Sequence, residues 1–259
     1  MKNVNILIEN GVNVNQGIEL LGDMEMYNEL LNDFLNEIKD KFNQINQFKE
    51  QSDMVNYAVL VHSLKSDAKY LGFNQLAELA YKHELESKAN NISFVNENYY
   101  ALEYETKRIV AVVTKYLGEN NLEAPATPAV EAKPEISNIT ILVVDDSDII
   151  QNFIKKIFVE NFDVILASDG AEAIGILETH HNISAMLLDL NMPNINGFKV
   201  LEYMKEKDLF KTLPVSIITG NESKDTDLKA FGFPIVDILK KPFNETSLRN
   251  IIERTLGYK

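Results

Sequence analysis

The sequence predicts two folded units of different classes: an N-terminal all-α four-helix bundle and a C-terminal α/β unit built as (βα)5 around a five-stranded parallel sheet. Residues 18–118 repeat apolar side chains at helical spacing, whereas residues 139–259 alternate short apolar runs with helical patterns. Between them, residues 119–138 contain three prolines and no aromatic residue, which is typical of a linker. We therefore divide the chain into a bundle at 1–118, a linker at 119–138 and an α/β domain at 139–259.

In the N-terminal unit, apolar side chains recur every three or four residues and then break off at polar or glycine-containing connections. The four helical stretches cover about 20–45, 53–71, 74–89 and 95–117. Gly72 with Phe73, and the pair Asn90–Asn91, interrupt the pattern between the later stretches. Four long amphipathic helices with short connections predict an antiparallel bundle.

The C-terminal unit contains five short apolar runs, each followed by a helical stretch. The runs lie at 139–144, 163–167, 185–190, 214–219 and 237–239, and the last helix at about 245–257. Strands that alternate with helices pair in parallel and are covered on both faces, so the runs predict one parallel sheet with helices on both sides.

Composition and charge narrow the class of protein. The 259 residues include 39 acidic and 25 basic side chains, a net charge of −14, whereas a general nucleic-acid binder needs a basic surface to neutralise phosphates. The absence of cysteine excludes disulfides, thiolate metal sites and cysteine nucleophiles. The N-terminus lacks a signal-peptide core, and no run of about 18 apolar residues occurs. We expect a cytoplasmic protein that binds no nucleic acid and does not insert into a membrane.

Carboxylates follow two of the predicted strands. Asp145 and Asp146 come directly after the first strand, and Asp189 follows the third. If these strands are neighbours, the three side chains converge at the carboxyl edge of the sheet, where sites of open α/β folds form. Like charges at that distance would repel one another, and a hard divalent cation, Mg²⁺ or Mn²⁺, would relieve the repulsion.

The same edge carries a hydroxyl and a cation. Thr219 ends the fourth predicted strand, and Lys241 follows the fifth. A carboxylate cluster beside a hydroxyl and a lysine predicts a phosphoryl-transfer site in which one carboxylate is the nucleophile. Two other interpretations of these aspartates are possible. They could simply form turns or cap helices, or the DxD motif at Asp146–Asp148 could belong to a hydrolase. Ile149 and Ile150 follow where such hydrolases usually continue with a Gly-Thr or Thr/Val signature.

A histidine stands out on the second long helix of the bundle. With Leu60 at 0° and about 100° per residue, the apolar stripe of this helix ends near 100° and His62 lies at about 200°. His62 is therefore predicted to point into solvent, with Lys65 and Ser66 as its neighbours one turn on. An exposed imidazole beside lysine suits a nucleophile that a partner must reach, although a lone histidine can also be ordinary surface. His83, in contrast, is predicted to be packed or half-buried.

Residues 139–259 resemble a two-component receiver domain, a flavodoxin-like fold. The matching segments are VVDDS at 143–147, LLDLNMPNINGF at 187–198, IITG at 217–220 and KKPF at 240–243. The resemblance implies Asp189 as phosphoacceptor, Asp145 and Asp146 as acidic metal-site residues, and Thr219 and Lys241 as contacts of the phosphoryl group. It also implies that Asn191 adds its backbone carbonyl to the metal. The family usually has an aromatic switch residue three positions before the lysine, where this sequence has Ile238.

Residues 18–118 resemble a histidine phosphotransfer (HPt) domain. The resemblance rests on IELLGDMEMYNELLNDFL at 18–35, HSLKSDAKYLGF at 62–73 and LAELAYKHELE at 76–86. The family pattern is His-x-Leu-Lys-Gly with a later glycine, and His62, Leu64, Lys65 and Gly72 match it. Ser66 replaces the first glycine. The resemblance implies that His62 becomes phosphohistidine.

Together these features predict a phosphorelay signal transduction protein. Phosphoryl groups would pass, with Mg²⁺, between His62 and Asp189 of the same or a partner chain, in a relay or phosphate sink with receiver self-dephosphorylation. No ATP-binding region is visible, so phosphate would come from a sensor histidine kinase or from other receiver or HPt proteins, and we expect no DNA-binding output. The alternative is a protein-binding adaptor in which only Asp189 is phosphorylated.

Overall fold

The computed structural model describes residues 2–118, 139–180, 182–220 and 224–257. The chain forms two compact units, which are described separately below. The predicted linker at 119–138 lies outside the described residues. Within them, no helix is both long enough and apolar enough to cross a membrane.

The N-terminal unit is helical, with the four predicted long helices preceded by two short ones. The helices are α1 (Asn5–Glu9), α2 (Val14–Leu21), α3 (Met24–Glu50), α4 (Met54–Tyr70), α5 (Asn74–Lys88) and α6 (Ile92–Leu117). The apolar periodicity does not distinguish α2 from α3. Gly22, at φ 101°, ends α2, and the Asp23 side chain begins α3 by accepting a hydrogen bond from the Met26 amide.

The turn between α4 and α5 packs directly against the start of α2. Gly72 has φ +74°, and its carbonyl accepts a hydrogen bond from the Asn13 amide at 2.9 Å. A Cβ at position 72 would lie 2.2 Å from the Asn13 carbonyl oxygen. Only glycine satisfies both conditions, and it allows the turn to approach the start of α2 this closely.

Helix α4 is enclosed by its neighbours, because α5, α3 and α2 all pack against it. The predicted apolar stripe is buried. The opposite face is also buried, with its polar side chains His62, Ser63, Lys65, Ser66 and Asp67. Buried polar groups need partners, and α5 and α3 supply several of them.

The C-terminal unit contains a five-stranded parallel sheet in the order β2-β1-β3-β4-β5. The strands are β1 (Thr140–Val144), β2 (Asp163–Ala167), β3 (Ile183–Leu188), β4 (Val215–Thr219) and β5 (Ile238–Lys240). The three central strands β1, β3 and β4 are buried almost throughout, which explains their continuous apolar sequences. Strand β3 begins and ends two residues before the predicted run.

Helices alternate with these strands as predicted. They are α7 (Asp148–Phe158), α8 (Gly170–Thr179), α9 (Gly197–Glu206), α10 (Lys224–Ala230) and α11 (Glu245–Gly257), with a short 3₁₀ turn at Leu209–Lys211. The chain order reverses at β1, so β1 and β3 are neighbours although β2 lies between them in sequence. This is the switch point at which sites form in open α/β sheets.

Candidate functional site

The carboxyl ends of β1 and β3 bring three aspartates together. Asp145 and Asp146 follow β1, Asp189 follows β3, and one carboxylate oxygen of each lies within 4.8 Å of the other two. Asp145 and Asp189 are fully buried. Strands β1 and β3 are neighbours in the sheet, so the three aspartates converge at its carboxyl edge as predicted.

Lys241 bridges two of the carboxylates. Its Nζ lies 2.6 Å from Asp145 Oδ2 and 2.5 Å from Asp189 Oδ2, and its backbone amide donates to the Thr219 carbonyl at 2.8 Å. Burial alone would lower the pKa of Lys241, but the charges of Asp145 and Asp189 outweigh it and hold the pKa above its ordinary value. Lys241 therefore remains a cation inside the cluster.

Asp145 lies close to both Lys241 and Asp189. Burial, opposed by Lys241 and reinforced by Asp189, raises the pKa of Asp145 to about 7. Its Oδ1 accepts a hydrogen bond from the Ser147 amide at 3.0 Å, and the Ser147 hydroxyl in turn caps α7. The three converging carboxylates of Asp145, Asp146 and Asp189 offer hard oxygen donors, which fit a divalent ion such as Mg²⁺ or Mn²⁺.

Two further predicted residues lie at the same edge with unused polar atoms. The Thr219 hydroxyl, at the end of β4, is buried and has no hydrogen-bond partner among the described residues. The Asn191 side-chain amide nitrogen is also buried and unpartnered there, while the Asn191 backbone amide donates to Asp189 Oδ1 at 3.1 Å. Buried polar atoms without partners are uncommon and point to a ligand.

The loop that carries Asp189 is held close to the start of α9. The Asp189 amide donates to the Val144 carbonyl at 2.8 Å, and the Gly197 amide donates to the Leu190 carbonyl at 3.1 Å. A Cβ at position 197 would lie 2.1 Å from the Asp189 carbonyl oxygen, so glycine is required there. The loop is therefore fixed at its beginning and at its end.

In the bundle, the prediction that His62 points into solvent is wrong. His62 is 2% exposed. The helical wheel describes one helix only, and in the folded unit α5 packs across the polar side of α4. Lys65 and Ser66 are buried for the same reason. His83 is buried, as predicted, and shares a 2.7 Å hydrogen bond with the Tyr57 hydroxyl.

The partner of His62 is a carboxylate on α5 that is not among the predicted site residues. Glu84 Oε1 lies 2.7 Å from His62 Nδ1, and Glu84 Oε2 lies 2.5 Å from Lys65 Nζ. Lys65 Nζ is also 3.1 Å from His62 Nδ1, and Lys88 Nζ is 2.7 Å from Glu84 Oε1. Glu84 lies four residues after buried Ala80 and eight after buried Leu76, and this position on the apolar stripe of α5 is the signal that could have identified it.

Charge and hydrogen bonding keep Glu84 ionised. Burial alone would raise its pKa, but the hydrogen bond and charge of His62, together with Lys65, hold the pKa well below the ordinary value. An ionised carboxylate only accepts hydrogen bonds, so His62 Nδ1 is the donor. The other ring nitrogen, Nε2, is buried and has no hydrogen-bond partner among the described residues.

Comparison with known proteins agrees with both units. Residues 29–111 match the Hpt domain, and residues 141–253 match the response regulator receiver domain. The chain is 31% identical over 121 residues to "Chemotaxis protein CheY1" of Helicobacter pylori, covering 45% of this chain and 96% of that protein. It is 27% identical over 119 residues to a "Chemotaxis protein CheY homolog" of Campylobacter jejuni, covering 45% of this chain and 92% of that protein. One similar solved structure is the receiver domain of Francisella response regulator 1452, at 28% identity and a TM-score of 0.42, covering 46% of this chain and 98% of that one.

The parallel sheet with its acidic edge defines the C-terminal unit as a receiver domain of the response regulator class. Together with the N-terminal Hpt domain, it makes the chain a member of the two-component phosphorelay proteins. The histidine cluster and the carboxylate cluster thus belong to two different signalling domains.

Proposed function

We propose that the protein passes phosphoryl groups between His62 of the Hpt domain and Asp189 of a receiver, its own or a partner's, as a relay or phosphate sink. The observation that supports this most strongly is the pairing of two sites in one chain. One is a histidine whose Nδ1 donates to a carboxylate, and the other is an aspartate in a three-carboxylate cluster bridged by lysine.

On the receiver side, Asp189 is the nucleophile. Its carboxylate oxygen forms a bond to phosphorus while the phosphorus–nitrogen bond of phosphohistidine breaks, and the electron pair returns to His62 Nε2. Lys241 neutralises charge on the phosphoryl oxygens, and the Thr219 hydroxyl donates to one of them. Asp145, Asp146, Asp189 and the Asn191 carbonyl would hold Mg²⁺ or Mn²⁺, which supplies additional positive charge when bound.

On the Hpt side, Glu84 prepares His62. Nδ1 keeps its proton and donates a hydrogen bond to Glu84. The lone pair is therefore on Nε2, the nitrogen that has no partner among the described residues. The carboxylate also stabilises the positive imidazole ring that forms when Nε2 is phosphorylated. Lys65 and Lys88 hold Glu84 in place. Lys65 is thus a positioning residue, in addition to the charge it adds beside a phosphorylated ring.

Access to His62 depends on the α5 side of the bundle. Tyr81 and Leu85 lie on α5 at the positions three before and one after Glu84, and they are 48% and 49% exposed. The Tyr81 ring lies beside the cluster, with its centroid 5.8 Å from Lys65 Nζ. Half-exposed apolar side chains in such a place form a surface that a partner protein would cover. We infer that a receiver or a kinase domain docks there and makes Nε2 accessible.

The burial of His62 favours one alternative. If no partner reaches Nε2, only Asp189 is phosphorylated, and the protein acts as a phosphorylation-switched adaptor. In that case His62 and Glu84 are a buried ion-pair network that stabilises the α4–α5 packing.

Intact-mass measurement after incubation with acetyl phosphate and Mg²⁺ tests the proposal. Wild type should gain one phosphoryl group that is lost in Asp189→Ala, and a second, acid-labile group that is lost in His62→Gln. A single group that persists in His62→Gln supports the adaptor. No phosphoryl group on any form contradicts the receiver chemistry itself.

A further inference from the structure

The loop from Asp189 to Asn196 is tied to a second loop outside the carboxylate cluster. The side-chain amide of Asn194 donates to Asp169 Oδ2 at 2.7 Å, and the Gly170 amide donates to the Ile195 carbonyl at 2.9 Å. Asp169 and Gly170 lie at the β2–α8 turn, on the other side of β1 from the loop. The two loops are therefore joined by one side-chain bond and one backbone bond.

Asp169 uses its two carboxylate oxygens for different purposes. Oδ1 accepts from the Ala171 and Glu172 amides at 2.8 and 2.9 Å and so caps α8, while Oδ2 accepts from Asn194. Partial burial would raise the pKa of Asp169, but the hydrogen bonds from Asn194 and these amides hold it below the ordinary value. The carboxylate is thus charged, and its bond to Asn194 is charge-assisted.

The conformation at this contact leaves little freedom. Asn194 has φ 60°, a region that asparagine and aspartate tolerate better than other residues with side chains. A Cβ at position 170 would lie 2.3 Å from the Ile195 carbonyl oxygen, so the two backbones are in direct contact. Between Asn194 and Asn191, Met192 is 3% exposed and anchored in the core, and Pro193 has a restricted φ. Because only these two residues separate Asn194 from Asn191, a contact that fixes Asn194 also restricts the position of the Asn191 peptide group.

We propose that the Asp169–Asn194 hydrogen bond is a latch that positions the Asn191 backbone carbonyl and thereby sets the metal affinity of the carboxylate cluster. Asp169 and Asn194 are positioning residues that act through Asn191. This inference rests on the proposed function, in which the Asn191 carbonyl is a metal ligand. Residues behind the direct ligands of a metal commonly change its affinity by about tenfold or more.

A reciprocal exchange of the two side chains tests the latch in the full-length protein. Asp169→Asn keeps an oxygen to cap α8 but turns an amide toward the amide of Asn194, and Asn194→Asp places two carboxylates face to face. We expect each single variant to bind Mn²⁺ about tenfold more weakly, as measured by electron paramagnetic resonance of the free ion. The double variant restores one donor and one acceptor, so its affinity should return to within about twofold of wild type.

Asn196→Asp is the matched control, because it adds the same charge to the same loop at an exposed cap of α9. It should bind Mn²⁺ at least as tightly as wild type. With acetyl phosphate, the single latch variants should need more metal for the half-maximal rate of Asp189 phosphorylation, with an unchanged rate at saturating metal.

The outcomes separate this inference from the function on which it rests. Failure of wild type to bind Mn²⁺ or to become phosphorylated overturns the proposed receiver chemistry. If wild type does both, single variants with wild-type Mn²⁺ affinity overturn the latch. Weakened single variants that the exchange does not restore, in a protein with an unchanged unfolding midpoint, overturn it equally.

Discussion

Glu84 accepts a hydrogen bond from Nδ1 of His62 at 2.7 Å, across the interface between α5 and α4. This contact selects the ring tautomer that has its lone pair on Nε2. It also explains how α4 can bury His62 and Lys65 on its polar side, because the Glu84 carboxylate pairs with both of them. We therefore expect both the reactivity of His62 and the stability of the Hpt domain to depend on Glu84.

Replacement of Glu84 by glutamine should show how the carboxylate affects the reactivity of His62. In Glu84→Gln the amide keeps the shape but loses the charge, and phosphorylation of His62 should slow by at least about tenfold because the reactive tautomer and the imidazolium lose their support. Phosphorylation of Asp189 in the same molecules is the internal reference. Equal rates in wild type and Glu84→Gln would contradict this role.

Glu84→Ala should also destabilise the bundle. It leaves the buried Lys65 without its ion-pair partner, which should lower the free energy of unfolding by about 3 kcal/mol. Urea unfolding followed by circular dichroism measures the change. Glu78→Gln, which removes the exposed pair with Lys82 on the same helix, is the control and should leave the unfolding midpoint unchanged.

Acid should weaken the contribution of Glu84. Its pKa is lower in the folded than in the unfolded protein, so the stabilisation is complete above the unfolded value of about 4.3 and is lost as the pH falls toward the lower folded value. The difference in free energy of unfolding between wild type and Glu84→Gln should therefore be largest above about pH 5 and shrink below about pH 4. A difference that grows on acidification would show that Glu84 is not held ionised.

Lys241 and its neighbour Lys240 form a matched pair for testing the carboxylate cluster. Lys241→Met leaves Asp145 and Asp189 without their shared cation, and we expect Asp189 phosphorylation to fall by about 100-fold. Mg²⁺ should raise the unfolding midpoint of this variant more than that of wild type, since it replaces the missing charge. Lys240→Met removes only a partly exposed pair with Asp227 and should phosphorylate normally. Comparable losses in both variants would contradict the assignment.

Thr219 should show a trade between stability and activity. Its buried hydroxyl has no partner among the described residues, so Thr219→Val should raise the free energy of unfolding by about 1 kcal/mol while slowing phosphorylation of Asp189. Thr255→Val is the contrast, because that hydroxyl bonds both Ser216 and the Ile251 carbonyl. It should lower stability and leave phosphorylation intact. Loss of stability in Thr219→Val would indicate that its hydroxyl is structural.

The receiver fold and its acidic edge were predictable because they depend on local patterns. Buried parallel strands appear as apolar runs, and the residues directly after them must lie at one edge of the sheet. Asp145, Asp189 and Lys241 could therefore be placed from the sequence. The sequence does not show which strands are neighbours, so the pairing of β1 with β3 had to be assumed. The structure shows this pairing.

The environment of His62 was not predictable in the same way. The periodicity of α4 correctly located its apolar stripe, but a single helix does not reveal whether a second helix covers its polar side. Glu84, 22 residues further along, decides that question through tertiary contact. The bond between Asp169 and Asn194 was likewise beyond prediction, because it joins two loops that are distant in sequence.

Phosphoryl transfer between two variants, one that keeps only Asp189 and one that keeps only His62, tests the central proposal most directly. His62→Gln is phosphorylated at Asp189 with acetyl phosphate, freed of the small molecule, and mixed with Asp189→Ala in the presence of Mg²⁺. Intact mass should show the phosphoryl group leaving the first chain and appearing, acid-labile, on the second. Phosphate that disappears from His62→Gln only by hydrolysis, with none on Asp189→Ala, would contradict transfer between Asp189 and His62 of separate chains of this protein.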